Sequence, residues 1–261
     1  AQQTTPLREP ILATYFEQLS QILVGVALTK DYSLKIKDQV LAFGEIISAK
    51  TLVYLLEKKG VKAQLLDSRT LIRTNNQFGN AQVQEVISKQ QVRVAYDSLP
   101  KDVVPVFTGF IGGTALGETT TLGRNGSNYS AALLANFLEA GELQNYTHVD
   151  GIYTANPSLV PEAQKIAALS YSEANELANF GATILHAKTI IPLIEKNIPL
   201  RILNTFKAEN EGTLISATPT KEGIKSLSLI ESVSLITIEG RGLLGKAGVD
   251  ARIFKTLGNA N

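Results

Sequence analysis

The stretch Thr119-Thr120-Thr121-Leu122-Gly123-Arg124-Asn125-Gly126-Ser127-Asn128 contains the residue types from which an anion site is built. Gly123 and Gly126 let the backbone fold close against a ligand. Ser127 and the amides that follow it form a helix start, where unpaired N–H groups attract negative charge. Arg124 is placed to grip a carboxylate or phosphate with two parallel N–H bonds. On spacing alone the same residues also describe an ordinary loop leading into a helix, with one surface arginine. A second cluster, Thr147, His148, Tyr153, Asn156 and Ser158, follows a strand signal, and the carboxyl ends of parallel strands are where α/β sheets bind ligands. Tyr153 could equally be a packing tyrosine, and His186 reads as a helix-boundary histidine.

Composition removes other chemistries. The 261 residues contain no cysteine and two histidines, which excludes a disulfide framework, a thiolate metal site and a thiol nucleophile, and leaves little for a histidine-rich metal site. With 25 Lys and Arg against 24 Asp and Glu the net charge is +1, so there is no basic field for nucleic acid. The purely apolar runs, such as residues 22–24 and 26–28, are too short for a bilayer, and a cytoplasmic location without membrane contact is expected. The chain has no methionine and opens Ala1-Gln2-Gln3 without a signal-peptide core, which reads as a piece of a longer polypeptide.

The elements that must position these residues alternate. Apolar positions recur at helical spacing through residues 17–60, as in Leu41, Ile46 and Ile47, then Leu52, Leu55 and Leu56, with Gly60 as a stop. Residues 61–66 read as a strand, 75–80 as a surface loop, and 102–107 as a strand covered on both faces, with Pro105 marking an edge or bulge. Residues 109–113 are expected to turn the chain. Residues 128–140 form an amphipathic helix with Ser127 as N-cap and Ala131, Leu134, Phe137 and Leu138 on one face. A strand over 143–149 follows. Ser170 with Glu173 gives a capping box for a helix ending near Gly181, residues 188–197 a helix interrupted by Pro192, and 198–203 a strand. Beyond Gly223, Val233, Leu235 and residues 236–238 read as a strand, Gly240-Arg241-Gly242 as a turn, and Val249, Ile253, Phe254 and Leu257 as a helix stripe. Two elements cannot bury a core alone, so this is the first half of a small βα domain.

Leu122-Gly123-Arg124-Asn125-Gly126-Ser127 followed by Tyr129-Ser130-Ala131-Ala132 resembles the substrate loop and helix of aspartokinases, members of the amino acid kinase family. The resemblance continues through Val149-Asp150-Gly151-Ile152-Tyr153-Thr154, Val160-Pro161-Glu162-Ala163, Phe180-Gly181-Ala182 with Leu185-His186, and Asn204-Thr205 with Gly212-Thr213-Leu214-Ile215. It is most similar to the kinase portion of a bifunctional aspartokinase/homoserine dehydrogenase. Gly240-Arg241-Gly242-Leu243-Leu244-Gly245 resembles the start of a regulatory ACT domain.

The resemblance implies a three-layer α/β/α sandwich with a mainly parallel sheet, lacking its N-terminal strand, over residues 1–220, and a partial ACT-like domain over 221–261. It implies phosphoryl transfer from MgATP to the side-chain carboxylate of L-aspartate in lysine, threonine and methionine synthesis. It also implies an amino-acid effector, lysine or threonine, and a homo-oligomer. Carried across, Arg124 holds the substrate α-carboxylate, Asn125, Gly126 and Ser127 line its pocket, Phe110 walls it, and Glu45 of Phe43-Gly44-Glu45 receives the amino group. Read by itself, Glu45 is an exposed helical glutamate. Thr147, His148, Tyr153, Asn156, Ser158 and Thr183 take the nucleotide, and Arg124 and Asn128 stand at the reacting centre. The family usually has aspartate at positions 128, 148 and 156, lysine at 183 and often arginine at 158, and its Lys-Phe-Gly-Gly-Thr loop is absent. Loss of one such preorganised contact costs on the order of 100- to 1000-fold in turnover. Two other readings follow: a kinase-like regulatory or scaffolding domain serving a dehydrogenase, and an amino acid kinase for another acceptor.

Overall fold

A computed structural model describes residues 10–30, 32–179, 187–218, 223–229, 234, 237 and 248–259. The elements run α1 (Pro10–Thr29), α2 (Leu34–Lys58), β1 (Ala63–Leu66), α3 (Ser68–Leu71), α4 (Glu85–Asp97), β2 (Val104–Phe107), β3 (Ile111–Gly113), β4 (Thr119–Thr121), α5 (Gly126–Leu138), β5 (Leu143–Thr147), β6 (Ala168–Ser170), α6 (Tyr171–Asn179), α7 (Ala187–Ile194), β7 (Leu200–Asn204), β8 (Thr213–Ser216) and α8 (Val249–Asn259). They fall into two units, Ala1–Ser228 and Leu229–Asn261.

The first unit is an α/β fold in which most strand pairs are parallel. β1 pairs with β2, β5 with β7 and β6 with β8 in parallel, while β3–β4 and β7–β8 are antiparallel. Among the described residues these strands make three sheets, the largest ordered β5-β7-β8-β6. Parallel pairing requires long crossovers, and helices supply them.

Two cores meet across α5. Its Ala132 and Ala135 pack with Leu169, Ile190, Leu193, Leu200, Ile202 and Ile215, and its Leu133 and Phe137 pack with Ile72 and Val92. The helix is therefore buried on nearly all sides, not amphipathic with one apolar face as its spacing suggests. Its start also differs: Asn125, in the left-handed region at φ 57°, is the N-cap residue, and Ser127 lies inside the first turn with its hydroxyl turned to Glu45.

Other departures from the sequence pattern have local causes. The helical run over 17–60 is two helices, separated where Lys30 adopts φ 53° and Ser33 caps α2 by accepting from the Ile36 N–H. Residues 109–113 do not simply turn; Ile111–Gly113 becomes β3, zipped to β4 in a hairpin that three-residue strands are too short to announce. β2 is not covered on both faces, since Val104 is 44% exposed, and Pro105 is tolerated because β2 has a partner on one side only among the described residues. The helix holding Pro192 is not interrupted; Asn136 Nδ2 donates to the Pro192 carbonyl at 2.7 Å. The capping box of α6 is present, with Glu173 Oε2 accepting from the Ser170 N–H and Ser170 Oγ from the Glu173 N–H.

Helix α2 is long and apolar enough, by length and composition alone, to cross a membrane. One face of it, Ala42, Phe43, Ile46, Ala49 and Val53, is buried, Ile46 beside Ile111 and Val53 beside Val106, while Leu41, Leu52 and Leu55 are exposed. In the second unit α8 bears the expected stripe, with Phe254 71% exposed. Val233, Leu235, residue 236, residue 238 and Gly240-Arg241-Gly242 lie outside the described residues.

Ile202, fully buried on β7 at the centre of the larger core, tests this packing. Ile202→Ala is expected to lower the unfolding free energy by about 2–5 kcal/mol in urea titrations; a loss below about 1 kcal/mol would contradict a close-packed site.

Candidate substrate pocket

A cavity of about 560 Å³ opens where α2, the β4–α5 turn and Phe110 meet, within the size range of small-molecule sites. Lys37, Asp38, Leu41, Glu45, Gly79, Phe110, Thr121, Gly123, Arg124, Asn125, Gly126, Ser127 and Asn128 line it. The pocket thus brings together Glu45, Phe110, Arg124, Asn125, Gly126, Ser127 and Asn128, which lie up to 83 positions apart in the chain.

The turn that carries Arg124 is built from two left-handed residues, Gly123 at φ 77° and Asn125 at φ 57°. Asparagine tolerates that conformation better than most residues; at Gly123 a Cβ would stand 2.6 Å from Asn80 Oδ1. At Gly126 it would stand 2.6 Å from Phe110 Cδ2, so this glycine is what lets the ring lie against the helix start. Phe110 itself has φ 67°, an uncommon state for an aromatic residue. It is held there by its N–H donating to Ser130 Oγ at 2.9 Å and its carbonyl accepting from the Leu122 N–H at 2.9 Å. Strain of this kind concentrates at ligand sites.

Glu45 is half-buried beside Ser127, whose hydroxyl donates to Glu45 Oε1 at 3.4 Å. Burial pushes its carboxyl above the ordinary glutamate range, and the Ser127 hydrogen bond offsets this only in part. Asp38, fully buried about two turns earlier on α2, accepts three hydrogen bonds: from the Gly79 N–H at 2.8 Å, the Thr121 N–H at 2.9 Å and Thr121 Oγ1 at 2.8 Å. Arg124 and Lys37 are exposed at the rim and make no ion pair among the described residues. Three of the roughly four acceptor sites of the Asp38 carboxylate are taken by protein donors, so Arg124, Lys37 and Glu45 are the charges least committed within the protein.

The second cluster lies elsewhere, at the carboxyl end of β5 and in the loop after it, and lines no part of this cavity. Thr147 Oγ1 is 3.4 Å from His148 Nδ1, and the Thr147 carbonyl accepts from the Thr205 N–H beyond β7. Asn156 Oδ1 accepts from the Ser158 N–H in a local turn, and the Tyr153 carbonyl accepts from Ser226 Oγ. Beside them Asp150 accepts from Lys207 Nζ and Asn204 Nδ2, which hold its carboxyl below the ordinary range. Thr183 and the motifs Phe180-Gly181-Ala182 and Leu185-His186 lie outside the described residues.

Sequence reasoning missed Lys37, Asp38, Leu41, Gly79 and Thr121. A signal for two of them exists: Asp38, Leu41 and Glu45 stand at i, i+3 and i+7, one face of a helix. Gly79 and Thr121 come from a loop and a strand brought in by folding.

A model of the amino acid kinase family matches residues 7–204, and the chain belongs to that family. Among its relatives, Aspartokinase 1, chloroplastic, of Arabidopsis thaliana is 34% identical over 94% of this chain and 44% of its own length. The bifunctional aspartokinase/homoserine dehydrogenase 2, chloroplastic, of Zea mays is 34% identical over 92% of this chain and 26% of its own. The chain therefore spans less than half the length of either. Among solved structures, E. coli aspartokinase III in complex with aspartate and ADP superposes with a TM-score of 0.75 at 33% identity, covering 80% of this chain and 46% of that one. The same enzyme with lysine and aspartate gives 0.77 at 30% identity, covering 96% and 57%.

The raised carboxyl of Glu45 makes a stability prediction. Its folded-state pKa lies above the unfolded one, so its stabilising contribution is complete below the unfolded value and is lost as pH rises through the folded value. Glu45→Gln should therefore be at least as stable as the native protein at pH 7 and lose that advantage near pH 4. Urea melts at both pH values check this; a variant clearly weaker at pH 7 would contradict it.

Proposed function

We propose that this chain is the kinase portion of an aspartokinase, moving the γ-phosphoryl group of ATP to the side-chain carboxylate of L-aspartate. The observation that carries the reading is the set of uncommitted charges in the pocket, Arg124 and Lys37 against Glu45, with the fourth charge, Asp38, engaged by three protein donors. L-aspartate brings two carboxylates and one ammonium, the complementary set. Arg124 would take the α-carboxylate in a two-bond grip, Glu45 the ammonium, and Phe110 with Gly126 would wall the carbon skeleton. The aspartate-bound and ADP-bound neighbour supports the choice of ligands.

In this reaction a carboxylate oxygen attacks phosphorus, the bond to ADP breaks, and an acyl phosphate leaves. The acceptor is already ionised, so no general base is required, and the protein's task is alignment and charge neutralisation. Thr147, His148, Tyr153, Asn156, Ser158 and Thr183 are proposed to take the nucleotide, with Asn128 in the first turn of α5 beside the reacting groups. Mg²⁺ would arrive on the phosphates and supply neutralisation of their charge. Among the described residues no group of three or more His, Cys, Asp or Glu side chains is arranged to hold a metal ion.

Residues 1–220 are proposed as the kinase domain and 221–261 as the start of an ACT-like regulatory domain. An amino-acid effector, supported by the lysine-bound neighbour, and a homo-oligomer belong to the same proposal. The proposed location is the cytoplasm; the plant relatives are chloroplastic by name. A second reading, a regulatory domain of weak turnover, is favoured by the uncharged Asn128 and Asn156 where the family usually has aspartate. Restoring aspartate at both positions and lysine at 183 would raise activity under that reading and not under the first.

A coupled assay on the intact polypeptide is expected to show ADP release that depends on aspartate and exceeds that with glutamate. Arg124→Lys, which keeps the charge but loses the planar fork, should raise KM for aspartate by about tenfold or more. No aspartate-dependent ADP release would overturn the proposal, and glutamate outcompeting aspartate would assign the other acceptor.

A further inference from the structure

The two ends of the proposed ligand clamp sit on different elements. Glu45 belongs to α2, and Arg124 to the turn that follows β4. Neither side chain is hydrogen-bonded to the other's element except through the long Ser127–Glu45 contact of 3.4 Å. Their separation must therefore be set elsewhere along the seam where α2 packs against β4.

Building on the proposed function, we infer that Asp38 is the positioning residue that sets this separation. It lies seven residues before Glu45 on the same face of α2, roughly 10 Å along the axis, and is fully buried. Its Oδ2 accepts both the Thr121 N–H and the Gly79 N–H, and its Oδ1 accepts Thr121 Oγ1. One route from this carboxylate to Arg124 runs three residues along the backbone from Thr121. The other runs through Gly79 to Asn80, which packs against Gly123. A single side chain on α2 thereby holds β4, which leads through Leu122 and Gly123 to Arg124, and the 79–80 turn, which lies against Gly123.

The donors explain why a side chain with acceptor oxygen occupies this place. Three donors converge in a buried spot, and each would be costly to leave unpaired. An alanine would free all three. An asparagine would not: its carbonyl oxygen can take the position of Oδ2 and accept both N–H groups, while its NH₂ donates to Thr121 Oγ1, which can accept as readily as donate. A group that positions should therefore be replaceable by asparagine, whereas one that meets the ligand's ammonium by charge should not.

The test uses the intact polypeptide with separate aspartate and ATP titrations, together with amide hydrogen exchange at Gly79 and Thr121. Asp38→Ala is expected to raise KM for aspartate about tenfold or more, since misplacement by an ångström has effects of that order, while KM for ATP stays within about twofold and the two amides lose protection. Asp38→Asn should rescue aspartate KM to within about threefold of the native value and keep both amides protected. If Asp38→Ala does not fold, Thr121→Val, which removes only the hydroxyl donor, should raise aspartate KM about threefold. The inference is overturned if asparagine is as damaging as alanine, if both KM values rise in step, or if neither variant changes aspartate KM or amide protection. Absence of aspartate turnover in the native protein would instead overturn the proposed function, and hydrogen exchange would still decide whether Asp38 locks the seam.

Discussion

A pocket for a small ligand with charges at both ends needs its own opposite charges kept apart and aimed inward. If they are close, they neutralise each other and the ligand gains nothing. Here that separation depends on the seam between α2 and β4, where the buried Asp38 carboxylate gathers two backbone N–H groups and one hydroxyl. The glycines and left-handed residues of the turn after β4 give Arg124 its direction, and the packing of Ala42 and Ile46 on Ile111 gives α2 its place. Remove the seam and each part can persist, but the spacing between Glu45 and Arg124 is no longer defined.

Unfavourable terms gather around this cavity. Glu45 is held where burial disfavours its charge, Phe110 has a backbone state uncommon for its type, and Arg124 and Lys37 have no carboxylate partner among the described residues. A chain selected for stability alone would not concentrate such features, and the well-packed double core around α5 offsets them. The second cluster, after β5, has the opposite character: Asp150 is satisfied by Lys207 and Asn204, and Asn156 by a local turn. It is organised as a loop scaffold with few free charges.

What could be read in the sequence follows the range of the forces involved. Contiguous signals were legible: the turn with Arg124, the capping box of Ser170 and Glu173, and the strand and helix alternation. Three-residue strands such as β3, β4 and β6 were not, because a period of two needs more residues than they have. The burial of α5 on opposite faces was also hidden, since its second apolar face is defined by Ile72 and Val92 from far earlier in the chain. The displaced cap, Asn125 and not Ser127, depends on a left-handed turn at Gly123 and Asn125 that packs against Asn80 and Phe110 from distant parts of the chain. In the pocket, residues supplied by motifs were found and those supplied by the fold were missed. Asp38 is the instructive case, because a lone helical aspartate looks like a solvated charge until its three donors arrive from Gly79 and Thr121.

One pocket is proposed to take a small amino acid by both poles. Determining the structure with L-aspartate bound tests it most directly. The account predicts the α-carboxylate paired with the Arg124 guanidinium, the ammonium within hydrogen-bond distance of Glu45, and the Asp38 contacts undisturbed. Aspartate bound outside this cavity, or inside it with its ammonium turned away from Glu45, would contradict the account.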